Sequence, residues 1–333
     1  MKIFLNFEEL GKSIKSQSPV ITWGVFDGVH RGHQTLVKNV IKWAKKINSP
    51  SLLITFQNHP ERVLNRHNDP LFITSLSHRI LLLEQLGVDN CLVLNFTKTL
   101  SQLSAKDFIE IIIKTIKPGG VVVTNNILFG KNRQGNIHTL QNILAENLIR
   151  LKIIKTLKYR NKIISSSLIR KAIKDGILNY ARKMLGRPVA ILGTVVQGEG
   201  RGRLLGFPTA NLDPHHEILP PEGVYIAKAR CLEEPPHSGK TFNALVNIGT
   251  RPTFQKKFIT NHKKTIEVYL LDYYQKKYHS LYGKDILVEI ASRLRDEKKF
   301  SHPTLLINQI RSDIKELKRT PLSTSPNHHN ISK

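Results

Sequence analysis

At 333 residues with 40% hydrophobic content, the chain is too long for one typical core and suggests two folded domains. Two widely spaced cysteines argue against a disulfide scaffold and fit a reducing cytoplasm; neither the start, MKIFLNFEELGKS, nor any later stretch has the apolar run of a signal peptide or bilayer span, so a soluble cytoplasmic protein with no membrane partner is expected. The formal charge of +26 points first to polyanions, but the basic residues are scattered through segments such as KKINSP, KKFITNHKK and DEKKF with few aromatics between them, which speaks against specific nucleic-acid binding.

The first informative stretch is ITWGVFDGVHRGH, Ile21 to His33. A run that reads as a buried strand (Val20, Ile21, Trp23, Val25, Phe26) breaks at Gly24, Asp27 and Gly28 and restarts as a helix whose Leu36, Val37, Val40, Ile41, Ala44 and Ile47 form one apolar stripe. His30 and His33 therefore fall at a helix N-terminus, where unpaired N–H groups attract anions, and Gly28 and Gly32 let a polyphosphate approach the backbone. Imidazole donors placed there can stabilise the charge that builds up when a nucleophile attacks the α-phosphorus of ATP. A helix-capping pair of surface histidines is the alternative, and zinc is a weaker one, because nothing nearby completes a four-ligand set.

In chain order, SLLITF (51–56) reads as a second strand, followed by QNHP with His59; Phe72 to Leu86 reads as a helix, and CLVLNF (91–96) as a third strand. Ser104 with Asp107 caps the helix FIEIIIKTIK, and GVVVT (120–124) is the fourth strand, followed by Asn126 and Phe129. Alternating strands and helices imply a parallel sheet covered on both faces, with ligands bound beyond the strands' carboxyl ends. In ISSSLIR, Ser165 and Ser166 either cap a helix or donate to phosphate, with Arg170 one turn on as a planar cation.

After Leu185 strands follow strands, so the domain boundary is placed near Gly186–Pro188. VAILGTVV, GVYIAKARCL, FNALVNIG, IEVYLLDY and DILVEIASRL imply an antiparallel barrel or sandwich. A helix, PTLLINQIRSDIKEL, should pack across it through Leu305, Leu306, Ile310, Ile314 and Leu317. The polar 320–333 tail reads as disordered.

Between the first two strands of this half, GEGRGRLLGFPTANL suits phosphate. Gly198, Gly200, Gly202 and Gly206 permit close approach, Arg201 and Arg203 supply charge, and Thr209 and Asn211 offer oxygen ligands suited to Mg²⁺ with ATP; a long flexible connection is the alternative. SGKT (238–241) only mimics a Walker A loop, because Glu234 stands where its first glycine should be. Glu267 interrupts an apolar strand on the same face as Tyr269 and Leu271 and is expected to face the barrel interior. It reads either as a general base or as half of an ion pair, and the residues alone favour the pair.

Taken in order, GVFDGVHRGH, F-x-x-H-P at 56–60, FGKNRQG, ISSSLIR, LGRP, GRGRLLGFPTANL, LPPEGVY, NIGTRPTF, IEVYLLD, LYGK and RLRDEKKF resemble the bifunctional bacterial riboflavin kinase/FAD synthetase family over nearly the whole chain. The resemblance implies a Rossmann-like nucleotidyltransferase domain at 1–185 and a Greek-key-like β-barrel kinase domain with a terminal helix at 186–319. Each would use Mg²⁺ and ATP. In the barrel, riboflavin would become FMN, with Thr209 and Asn211 holding Mg²⁺ and ATP and Glu267 acting as base. In the first domain FMN would become FAD, with His30 and His33 stabilising the transition state, Asn126 contacting nucleotide, and Ser165, Ser166 and Arg170 securing phosphates. The family's Val-Gly-x-Asp/Asn-Phe run stands here as Val123-Thr124-Asn125-Asn126-Ile127, which predicts that adenylylation is the weaker activity.

Overall fold

A computed structural model describes residues 1–14, 17–64, 71–198, 200–215, 217–232, 239–250, 264–273 and 281–322. The chain forms two compact units, Met1–Leu168 and Ile169–Lys333. The tail beyond residue 322 lies outside the described residues, as do Ser238 of SGKT and most of the segment that follows NIGT.

The first unit is built on a parallel sheet. Its strands are β1 (Lys2–Phe4), β2 (Val20–Trp23), β3 (Ser51–Phe56), β4 (Asn90–Leu94), β5 (Gly120–Thr124) and β6 (Leu151–Ile154), in spatial order β1-β4-β3-β2-β5-β6. Successive strand residues point to opposite faces, and both faces are covered. Ile21, Trp23, Leu52, Ile54, Leu92, Val121 and Val123 feed one core, with α1 (Phe7–Ser13), α6 (Ala105–Ile116) and α7 (Ile137–Glu146). Val20, Leu53, Cys91, Val93 and Val122 feed the other, with α2 (Arg31–Lys46) and α4 (Leu76–Gln85). Short helices α3 (Pro60–Leu64) and α5 (Lys98–Ser101) and a small hairpin of β7 (Lys158–Tyr159) and β8 (Lys162–Ile163) complete the path, and the unit ends at Leu168, in the first turn of α8 (Ser166–Lys174).

Two expectations need adjustment, and two strands go unannounced. The helix expected from Phe72 begins only at Leu76, because the Ser75 side chain caps it by accepting from His78 N and the N–H groups of Ile73 and Thr74 go to Asp27 Oδ1. The third strand ends at Leu94 because Phe96 N donates to the Asn58 side chain. The edge strands β1 and β6 are short and one-sided, so no buried alternation announces them.

The second unit begins at Ile169 within α8, passes through α9 (Leu178–Leu185) and continues as a closed barrel. Its strands are β9 (Val189–Val196), β10 (Ala210–Asp213), β11 (Gly223–Cys231), β12 (Thr241–Thr250), β13 (Lys264–Leu270) and β14 (Asp285–Arg295). The order around it is β10-β13-β12-β11-β14-β9, every pairing is antiparallel, and closure removes the sheet edges. Tyr225, Ala227, Ala244, Val246, Ile248, Ile266, Val268 and Leu270 fill the interior. The terminal helix α11 (Pro303–Arg319) covers part of the outside, where Leu317 and Ile314 meet Val224, Ile226, Leu245, Tyr269 and Leu271. Its buried side is narrower than the sequence suggests: Leu305 is 51% exposed, and Asp313 is buried instead. Asp313 takes a forked ion pair from Arg295, with Nη2 2.7 Å from Oδ2 and Nε 3.0 Å from both oxygens.

Candidate active sites

The order of the parallel sheet reverses between β2 and β5, since successive strands run outward from β2 on one side and from β5 on the other. Ligands of open α/β sheets bind at this switch point, beyond the carboxyl ends. The two strand ends there carry the histidine motif and Asn126.

After β2 the chain turns through Phe26 (φ 53), Gly28 (φ 77) and Val29 (φ 36). Left-handed backbone at Phe26 and at β-branched Val29 costs about 1–3 kcal/mol each, so surrounding contacts must impose it. They do. Asp27 Oδ1 accepts from Ile73 N (2.8 Å) and Thr74 N (3.2 Å), Gly28 N donates to Thr74 Oγ1 (2.9 Å), and Ser166 Oγ donates to the Asp27 carbonyl (2.9 Å). Asp27 thus works on the protein's own amides. Ser165 Oγ accepts from Leu168 N and caps α8, so the two serines act differently: one caps, the other ties α8 to the turn.

His30 is the N-cap of α2, its Nδ1 accepting from His33 N at 3.3 Å. For a neutral ring, that bond assigns the proton to Nε2. The His30 and His33 rings stack with centroids 3.6 Å apart, and Phe26 meets His33 edge-on at 5.3 Å. A Cβ on Gly32 would lie 3.1 Å from His30 Cε1, so glycine leaves room for the ring to fold back over the helix start. Gly24 is less constrained, because a Cβ there would make ordinary contact with the Phe26 ring. Together these residues form a rigid pair of imidazoles at a positive helix end.

Beyond β5, Asn126 is exposed, Asn125 Oδ1 accepts from Thr156 N at 3.1 Å, and Ile127 packs against the core with Phe129. Ile127 thus keeps apolar packing despite the missing ring. Beneath the turn lies Arg79, fully buried and unforeseen from the sequence.

In the second unit, strand register sets the site. Asn211 stands opposite Glu267, and Glu267 opposite Asn247, giving a row across β10, β13 and β12. The row is on the outer surface: Ala210, Leu212, Ile266, Val268, Val246 and Ile248 take the inward positions between. Glu267 therefore shares a face with Tyr269 and Leu271 as expected, but that face is outside the barrel. Both faces of β13 are apolar in sequence, one for the interior and one for the packing beneath α11, so alternation alone does not say which is inward. Thr209, two residues before Asn211, extends the row, and Phe207 meets Tyr269 at 6.2 Å.

The glycine-rich segment folds over this row. Arg201 and Arg203 lie on a one-turn helix, α10 (Arg201–Leu204), with left-handed glycines at 200 and 206 bracketing it. A Cβ on Gly198 would fall 1.9 Å from Asn211 Nδ2, and one on Gly202 would fall 3.1 Å from Thr209 Oγ1. These two glycines permit the backbone to lie against the side chains that bear the oxygens. Among the described residues no cluster of three or more His, Cys, Asp or Glu forms a metal cage. Hydroxyl and amide oxygens under a glycine loop instead match Mg²⁺ that keeps its waters and is held largely by phosphate. Asn247 carries no local sequence signal; its place in the row comes from register, visible only once β12 and β13 are paired.

Stacked histidines at the switch point of one unit and a Thr-Asn-Glu row on the barrel of the other fit a two-module, nucleotide-using transferase. The family models agree unit by unit: FAD synthetase matches residues 12–168 and riboflavin kinase residues 185–320. Proteins described as bifunctional riboflavin kinase/FMN adenylyltransferase are similar along almost the whole chain. One from Buchnera aphidicola subsp. Schizaphis graminum is 35% identical over 96% of this chain and 98% of its own, and one from Bacillus subtilis is 35% identical over 89% and 90%. The one from Escherichia coli strain K12 is 33% identical over 90% and 92%. A crystal structure described as a macrolide-efflux protein from Streptococcus pneumoniae superposes with a TM-score of 0.78 at 28% identity, over 93% of this chain and 97% of that one. The chain belongs to the bifunctional riboflavin kinase/FMN adenylyltransferase family.

Proposed function

We propose how the chain's two activities, riboflavin kinase and FMN adenylyltransferase, divide over its residues. The adenylyltransferase is assigned to 1–185 and the kinase to 186–319. The observation that carries this is the separation of the two motif sets, one at the switch point of the parallel sheet and one on the barrel surface.

In the kinase, the ribityl 5′-hydroxyl of riboflavin attacks the γ-phosphorus of ATP, the bond to the β–γ bridging oxygen breaks, and FMN and ADP result. Glu267 accepts the hydroxyl proton, a role open to a half-buried carboxylate on an exposed strand face. Thr209 and Asn211 would hold Mg²⁺ and the ATP phosphates, the ion supplying charge neutralisation. Gly198, Gly200, Gly202 and Gly206 let the loop close on phosphate, with Arg201 and Arg203 as its cations.

In the adenylyltransferase, an FMN phosphate oxygen attacks the α-phosphorus of ATP and pyrophosphate leaves. No proton needs removing from the nucleophile, so the residues need only position and stabilise charge. His30 and His33 do so from the start of α2. Asn126, Ser165, Ser166 and Arg170 contact nucleotide and phosphate, and Gly24, Phe26, Asp27, Gly28 and Gly32 shape the turn. Mg²⁺, brought with the nucleotide, would neutralise charge on the ATP phosphates at this site. Thr124 and Ile127, in place of a glycine and an aromatic, make this the slower activity. Two buried free cysteines fit a cytoplasmic enzyme.

The test is product chromatography with riboflavin, ATP and Mg²⁺, then with FMN, ATP and Mg²⁺. FMN and FAD are expected respectively, with His33→Ala removing FAD formation and Glu267→Gln removing FMN formation. Equal loss of both activities in either variant defeats the assignment.

A further inference from the structure

Arg79 on α4 is wholly buried beneath the turn that carries the histidines. Its Nη1 donates to the Val25 carbonyl and to Thr55 Oγ1 (3.2 Å), and Thr55 Oγ1 in turn donates to the same carbonyl (3.1 Å). The guanidinium lies over the Phe72 ring, 5.2 Å from its centroid. It also feels the charge of Asp27, whose carboxylate holds the 73–74 amides. Nε and Nη2 meet no hydrogen-bond acceptor among the described residues, an expensive arrangement for a core that needed only volume. An apolar side chain would fill the space without that penalty.

The neighbouring geometry gives a reason for the charge. Val25 and Asp27 flank Phe26, the first left-handed residue of the strained turn, and Arg79 acts on both flanks, by hydrogen bond on one side and by charge on the other. Phe26 in turn packs against the His33 ring. We propose that Arg79 is a positioning residue for adenylyl transfer: it fixes the Val25–Asp27 turn and, through Phe26, the orientation of the stacked histidines. It touches neither nucleotide nor flavin. The inference rests on the assignment of His30 and His33 to this reaction.

Because such a residue acts on geometry in the transition state rather than on substrate binding, its loss should appear in kcat. In the full chain, Arg79→Met is expected to lower kcat for FAD formation from FMN by about tenfold or more, with KM for ATP and FMN within about threefold, since small misplacements of catalytic groups cost rate. Phosphorylation of riboflavin by the same preparation stays at the parent rate. If Arg79→Met does not fold, Thr55→Val decides: it removes the hydroxyl shared by Arg79 and Val25, and a kcat loss of about threefold at unchanged KM is expected. A folded Arg79→Met, or failing it Thr55→Val, that keeps the parent's kcat overturns the inference, as does a KM rise that accounts for the whole loss. Full FAD formation by His33→Ala would instead sink the histidine assignment itself, whereas loss there with none in Arg79→Met removes only the role of Arg79.

Discussion

The two segments proposed to bind phosphate, the turn after β2 and the loop between β9 and β10, are built in opposite ways. The turn is held by bonds from distant parts of the chain: the 73–74 amides, Thr74 Oγ1, Ser166 and Arg79. The loop is held by its own backbone, with Arg203 N on Gly200 O, Gly206 N on Arg203 O and Phe207 N on Gly202 O, while Leu204 is 87% exposed. Adenylyl transfer deprotonates no hydroxyl and relies on fixed charge stabilisation, so a preorganised turn suits it. Phosphorylation of an alcohol requires nucleotide and acceptor to be enclosed together, so a locally stitched loop suits that step.

The largest difference between the two segments is expected at their glycines. Gly198→Ala places a methyl on Asn211 and is expected to lower riboflavin phosphorylation by about tenfold or more while leaving FAD formation from FMN unchanged, because a misplaced ligand misaligns the reacting phosphate. Gly32→Ala, whose methyl would press on the His30 ring, should do the reverse, lowering FAD formation from FMN and leaving riboflavin phosphorylation unchanged. Parallel kinetics of the two variants check both statements, and equal effects would remove the contrast. On stability rather than rate, the pair between β14 and α11 decides: Asp313→Ala strands the mostly buried Arg295 and should destabilise the second unit by about 3 kcal/mol, read in denaturant unfolding, with little change in the first.

Much of this architecture is legible in the sequence. Strands such as 51–56 and 120–124 appear where their continuous apolar runs place them, since a parallel sheet covered on both sides leaves no polar face. The histidine motif was legible because strand, glycine break and amphipathic helix are all local features. Arg79 was not, because a charged residue in a helix of low amphipathicity looks solvated until β2, β3 and α4 are brought together. The outward face of Glu267 was hidden for a related reason: α11, far along the chain, makes the outside of β13 apolar too.

Smaller effects sharpen the contrast further. Restoring glycine and an aromatic with Thr124→Gly and Ile127→Phe should raise FAD formation about two- to fivefold without altering the kinase, by easing approach at the end of β5. In hydrogen exchange, Mg²⁺ with ATP should slow the 200–206 amides markedly and change those of 26–33 little, because the turn is already fixed. Smallest is the thiol response: burial pushes the Cys91 thiol up to about 12, so it should resist alkylation at pH 8 until the chain is unfolded. The same shift means that Cys91 contributes stability fully present below about pH 9 and lost as pH rises toward 12.

The central claim is that two independent sites act in succession, and mixing experiments test it most directly. His33→Ala and Glu267→Gln, each supplied with riboflavin, ATP and Mg²⁺, should make FMN without FAD and neither product, respectively. Combined in one tube, they should make FAD, the first supplying FMN and the second adenylylating it. A mixture that yields no FAD, while the parent protein does, would contradict the account.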